Sequence, residues 1–154
     1  MEFDFFGEQE IYFLIALGLC LISGFVIGLE RESRKKDAGI STHVLVIVGA
    51  MVFTFLSSII EPNGSLTRIA AQVVTGVGFL GAGLIIKEGV TIKNLTTAAS
   101  LWAAASIGMA YGFRHYLVGL AVTVVIVLTP RIPHFTRSSP HLKKKNEDKD
   151  EFDD

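Results

Sequence analysis

The sequence predicts an all-α integral membrane protein, a bundle of about five transmembrane helices. Three observations carry this. Half of the 154 residues are hydrophobic and the mean hydropathy is +0.50. Charge is segregated: between Ala38 and Pro130 the only ionisable acids and bases besides histidine are Glu61, Arg68, Lys87, Glu88, Lys93 and Arg114. The apolar residues fall into long runs without period-two alternation, which excludes the weak ten-residue pattern of a transmembrane barrel. A spanning segment must satisfy its own backbone hydrogen bonds, so these runs read as helices. The net charge of −1 averages segments facing different solvents and points to no partner.

Residues 1–10 interleave Phe3, Phe5 and Phe6 with acids, a pattern suited to the bilayer interface. They lack the basic start of a signal peptide, so the first apolar run is expected to remain as a helix. That run, 11–29, is about 28 Å long at 1.5 Å per residue, close to the hydrocarbon thickness. Further helices are expected at 42–60, 69–86, 95–111 and 116–129, within a transmembrane domain at 11–132. Pro62, Asn63 and Gly64 form a turn after the second helix, and Pro130 with Pro133 closes the fifth. Residues 133–154 have too little apolar surface to offset ordering entropy and are expected to form a charged, disordered cytoplasmic tail.

Orientation follows from Lys and Arg. With the N-terminus outside, twelve of them lie inside and Arg68 and Arg114 lie outside. The positive-inside rule therefore predicts a multi-pass protein of the cytoplasmic membrane, N-terminus out and C-terminus in.

Small residues at helix-contact spacing predict close packing. Gly24 and Gly28 form one G-x-x-x-G pair, Gly108 and Gly112 a second, and Gly76, Gly78, Gly81 and Gly83 crowd the third run. Gly76 to Gly81 matches G-x-G-x-x-G, but no strand–helix junction or acidic ribose partner accompanies it, so helix packing is the preferred reading. A second reading has these glycines break the third helix to line a cavity or pore. The lone Cys20 reads as a small buried hydrophobe.

Polar residues near helix ends are the candidate functional positions. Arg68, Gln72 and Thr75 share one face entering the third helix, with Glu61 as a possible partner for Arg68. Glu30, Arg31 and Glu32 end the first helix and, with His43, Lys87 and Asn94, lie toward the inner side in this topology. Carboxylates there suit a hydrated Mg²⁺, but the neighbouring basic residues oppose it, so no metal site is assigned. Asn94 is placed as the N-cap of the fourth helix, with Thr97 and Ser100 bonding across to the third. His43, His115, His134 and His141 are dispersed, and no nucleophile–base set appears, so neither an enzyme nor a cofactor is expected.

The segments GFVIGLERE (24–32), THVLVIVGA (42–50), RIAAQVVTGVGFLGAGLII (68–86) and LTTAASLWAAASIGMAYG (95–112) resemble, in order and spacing, the MgtC/SapB family of bacterial inner-membrane proteins. The resemblance covers most of 11–128 and corresponds to a short form without the soluble C-terminal domain of some members. It implies a role in magnesium or ion homeostasis, exerted by regulating a membrane partner. The alternative from the residues is a small ion channel or transporter with the third helix lining the path. Expected partners are the lipid bilayer and either another inner-membrane protein or a second copy, not nucleic acid. The chain departs from the family in having Ser41 where Arg usually precedes Thr-His, and Asn94 where Gly usually precedes Leu-Thr-Thr.

Overall fold

The computed structural model describes residues 7–60, 68–88 and 91–132. Five helices make up the fold: α1 (Glu8–Ser33), α2 (Ile40–Ile60), α3 (Arg68–Leu84), α4 (Leu95–Gly112) and α5 (Tyr116–Leu128), followed by a 3-10 turn at Thr129–Arg131. Between α3 and α4 stands a two-stranded antiparallel hairpin, β1 (Ile86–Glu88) and β2 (Thr91–Lys93), in register Ile86 to Lys93. The turn at Pro62–Gly64, Glu61, the first six residues and the tail from 133 lie outside the described residues.

Helix ends shift by up to four residues from expectation, and two of these shifts bear on the site and the hairpin. The first helix continues past Leu29 to Ser33: Arg31 bonds Thr97 within the bundle, and Glu30 pairs with Arg34 one turn further along the helix. The third ends at Leu84, and Ile86, placed at its end by the sequence, pairs in the hairpin instead. Ile86 and Ile92 are β-branched, a side-chain shape that suits a pleated strand.

Helix α4 is central and touches α1, α2, α3 and α5. Its near neighbours approach closely where side chains are smallest. A Cβ on Gly24 would stand 2.7 Å from the Val44 Cα, and one on Gly28 would collide with the Ile40 backbone. On α4, a Cβ on Gly112 would lie 2.8 Å from the Met51 carbonyl oxygen, and one on Gly108 would strike the Ile47 carbonyl. Gly119 of α5 lies against the Tyr111 ring. The main core gathers Ala16, Cys20, Ile27, Ile47, Met51, Ala104, Ile107 and Tyr111. Inside it the Ser23 and Tyr111 hydroxyls share a hydrogen bond of 2.8 Å between α1 and α4.

Among the described residues many large apolar side chains face outward. Phe79 is 81% exposed, Leu117 82% and Leu45 71%. By length and composition α1 and α2 could each cross a membrane, while α3 and Tyr116–Arg131 are shorter apolar helices.

Candidate functional site: a buried polar cluster joining helices one, two and four

The cluster forms because α1 ends where α2 and α4 begin. Gly24 and Gly28 bring the start of α2 against α1, and Glu32 then accepts the Ile40 N–H through Oε1 at 3.0 Å. This satisfies one of the amide donors that the first turn of a helix leaves without a partner. Lys35, with φ 54, makes the left-handed step that turns the chain out of α1.

Arg31 is 3% exposed and donates through Nη2 to Thr97 Oγ1 at 2.5 Å, crossing from α1 to α4. His43 is fully buried. Its Nδ1 lies 2.9 Å from the Gly39 carbonyl oxygen and its Nε2 3.3 Å from Ser100 Oγ. Ser100 also reaches the Thr97 carbonyl at 2.8 Å. In a neutral His43 the ring hydrogen on Nδ1 serves the Gly39 carbonyl and Nε2 is an acceptor. The single hydroxyl hydrogen of Ser100 then serves either Nε2 or the Thr97 carbonyl. Arg31, Thr97, Ser100 and His43 thus form one connected chain across three helices.

Glu30 adds the negative member. Its side chain is 7% exposed, and Oε1 lies 3.3 Å from Arg34 Nε. The two groups are close enough for an ion pair but not aligned as a hydrogen bond, so both Glu30 oxygens, like Arg31 Nε, lack a hydrogen-bond partner among the described residues. Arg34 also donates through Nη1 to the Pro130 carbonyl at 2.6 Å, holding the 3-10 turn against the end of α1. The guanidiniums of Arg31 and Arg34 beside Glu30 oppose a bare cation at that carboxylate. Among the described residues no group of three or more His, Cys, Asp or Glu could hold a metal ion.

Of the residues singled out in the sequence, Glu30, Arg31, His43 and Thr97 come together, and Glu32 borders them as the cap of α2. Arg68 and Gln72 do not join them. Both are exposed at the start of α3, and Gln72 lines a groove between α2 and α3. Glu30 pairs with Arg34, not with Arg68. Lys87 lies in β1.

Three expectations need correction. Asn94 makes no side-chain cap; it stands at φ 63, ψ 12, and only its carbonyl serves the helix, accepting the Ala98 N–H at 2.9 Å. Asn is among the few residues with a side chain that adopt this left-handed backbone readily. Thr97 and Ser100 bond to α1 and α2, not to the third helix, because the α4 face they occupy turns inward. Among the described residues Gly76, Gly78 and Gly83 pack against nothing within 4 Å of a notional Cβ, whereas Gly81 meets the Ala98 methyl at 3.6 Å. The sequence reading did not anticipate Arg34 or Gly39 in the site. The i, i+3 spacing of Thr97 and Ser100 marked a shared polar face but not its partners.

Residues 17–137 match the MgtC family. Protein MgtC of Salmonella typhimurium strain LT2 is 44% identical over 122 residues, covering 78% of this chain and 52% of the relative. Protein MgtC of Brucella abortus strain 2308 is 44% identical over 112 residues, covering 70% and 47%. The chain therefore spans about half the length of the curated relatives it matches. No solved structure matches it. Both the extent of the family match and the identity to these relatives exceed what chance likeness between apolar helices produces, and the chain belongs to the MgtC family.

Proposed function

We propose that this chain is a multi-pass protein of the bacterial cytoplasmic membrane, N-terminus out, that acts in magnesium or ion homeostasis by regulating a membrane partner and has no enzymatic activity. The bundle supports the membrane reading by its inversion: Ser23, His43, Thr54 and Arg31 are buried while Phe79, Leu117 and Leu45 face outward. In water so large an apolar exterior would aggregate. The link to magnesium rests on the family.

One observation favours regulation over conduction. Of the glycines proposed to line a path through the third helix, Gly76 opens onto a groove toward α2, whereas Gly78 and Gly83 have open space beside them outside that groove, so the three line no common path. The buried polar cluster instead ties its members to one another across α1, α2 and α4.

The test has two parts. Purified full chain in liposomes should pass neither Mg²⁺ nor H⁺ above empty vesicles. A flux abolished by Gly78→Leu would replace this reading with the channel. Pull-down from native membranes should then recover a membrane protein whose yield differs between low and high Mg²⁺; a constant, stoichiometric partner would indicate a structural subunit instead.

A further inference from the structure

A groove of about 530 Å³ lies between α2 and α3. Its walls include Gly49 and Phe53 of α2 and Ile69, Gln72, Gly76 and Leu80 of α3. Gly49 and Gly76, on facing walls, have nothing within 4 Å of a notional Cβ among the described residues, so each leaves open space in the groove. The lining is apolar apart from Gln72, which lies near the end where α3 starts.

The length of the groove is informative. From Ile69 to Leu80 at 1.5 Å per residue, α3 contributes about 16 Å, roughly half of a ~30 Å hydrocarbon core. A groove one leaflet deep matches an acyl chain; a crossing helix would run the full thickness. The polar groups stand where a lipid would need them. Arg68 begins α3 and is exposed, one turn above Gln72 on the same face. A cation at that level meets a phosphate, and an amide one turn deeper can donate to an ester carbonyl below it. In hydrocarbon an amide without such a partner is costly.

We infer that this groove binds one phospholipid with an anionic headgroup: the phosphate on Arg68, an ester carbonyl on Gln72, and an acyl chain along Gly76 toward Leu80. The inference rests on the membrane reading above. A carbonate wash of native membranes tests that reading by itself: a chain released without detergent overturns both, whereas a chain retained until detergent is added keeps the membrane reading whatever the lipid result.

The lipid test uses the full chain in nanodiscs of equal phosphatidylglycerol and phosphatidylcholine, extracted with mild detergent and weighed by native mass spectrometry. Wild type should retain one phosphatidylglycerol per chain. Gly76→Phe and Gly49→Leu fill open space, so helical circular dichroism should be unchanged while retention falls about tenfold. Arg68→Gln should keep a lipid but lose the preference for phosphatidylglycerol. Wild-type retention no higher than that of Gly76→Phe would overturn the inference. So would a lipid-free dimer abolished by Gly76→Phe, which would make a second copy the occupant, and so would an unchanged headgroup preference in Arg68→Gln.

Discussion

Glycines serve two opposite purposes in this molecule. In α1 and α4 they are sites of closest approach: Gly24, Gly28, Gly108 and Gly112 lie against the backbone of α2, and a Cβ at any of them would meet it. In α3, Gly76, Gly78 and Gly83 face open space. The sequence pattern is similar, small residues two to five apart in an apolar run, yet one set closes a core and the other leaves a surface. Spacing shows that a smooth face exists; only the neighbouring helices decide whether it is covered. The difference also divides the molecule. The α1–α2–α4 part is tight and holds the polar cluster, while α3 stands with one side against α4 and its groove side open.

The largest test of this contrast is to add a methyl to the tight set. Gly28→Ala and Gly108→Ala force a methyl into the facing α2 backbone, and each should cost at least about 2 kcal/mol, read as loss of thermal stability in detergent. A near-neutral result at both positions would mean that the helices are not this close. The next largest probes the polar contact within the same tight part. Thr97→Val keeps the shape but leaves the buried Arg31 guanidinium without its acceptor, and should cost about 1.5–3 kcal/mol. Thr97→Ser should restore most of that, since the oxygen is what Arg31 uses. The smallest effect belongs to the open set. Gly78→Ala and Gly83→Ala add a methyl to space and improve helix propensity, so stability should hold or rise by up to about 1 kcal/mol. A loss like that at Gly28 would show these faces to be covered by something outside the chain.

The helices were legible because hydropathy and length act locally. So were the two G-x-x-x-G pairs, since both glycines of a pair necessarily share a face. The hairpin was not, because Ile85 and Ile86 continue the apolar run of α3 and hydropathy does not separate a helix end from a short strand. For the cluster, topology placed Glu30, Arg31, His43 and Thr97 toward one side of the bundle. It could not tell that Arg31 would reach Thr97 or that His43 would lie beside Ser100, because no spacing rule links residues 66 and 57 positions apart. Asn94 shows the limit in miniature: its chemistry suits an N-cap, but the turn out of the hairpin requires a left-handed residue, and the backbone requirement prevailed.

The contacts of α1 carry a consequence for biosynthesis. Ser23 is bonded to Tyr111, Arg31 to Thr97 and Arg34 to Pro130, separations of 88, 66 and 96 residues. Every one of these partners is made long after α1 itself. At ordinary elongation rates of about 5–20 residues per second, Arg34 waits roughly 5–20 s for its carbonyl. Until α4 is made, α1 is held in place by its hydrophobicity and by its packing with α2. The last contact to form is the one at Pro130, so the ribosome must nearly finish the helical domain before the first helix is locked at its charged end.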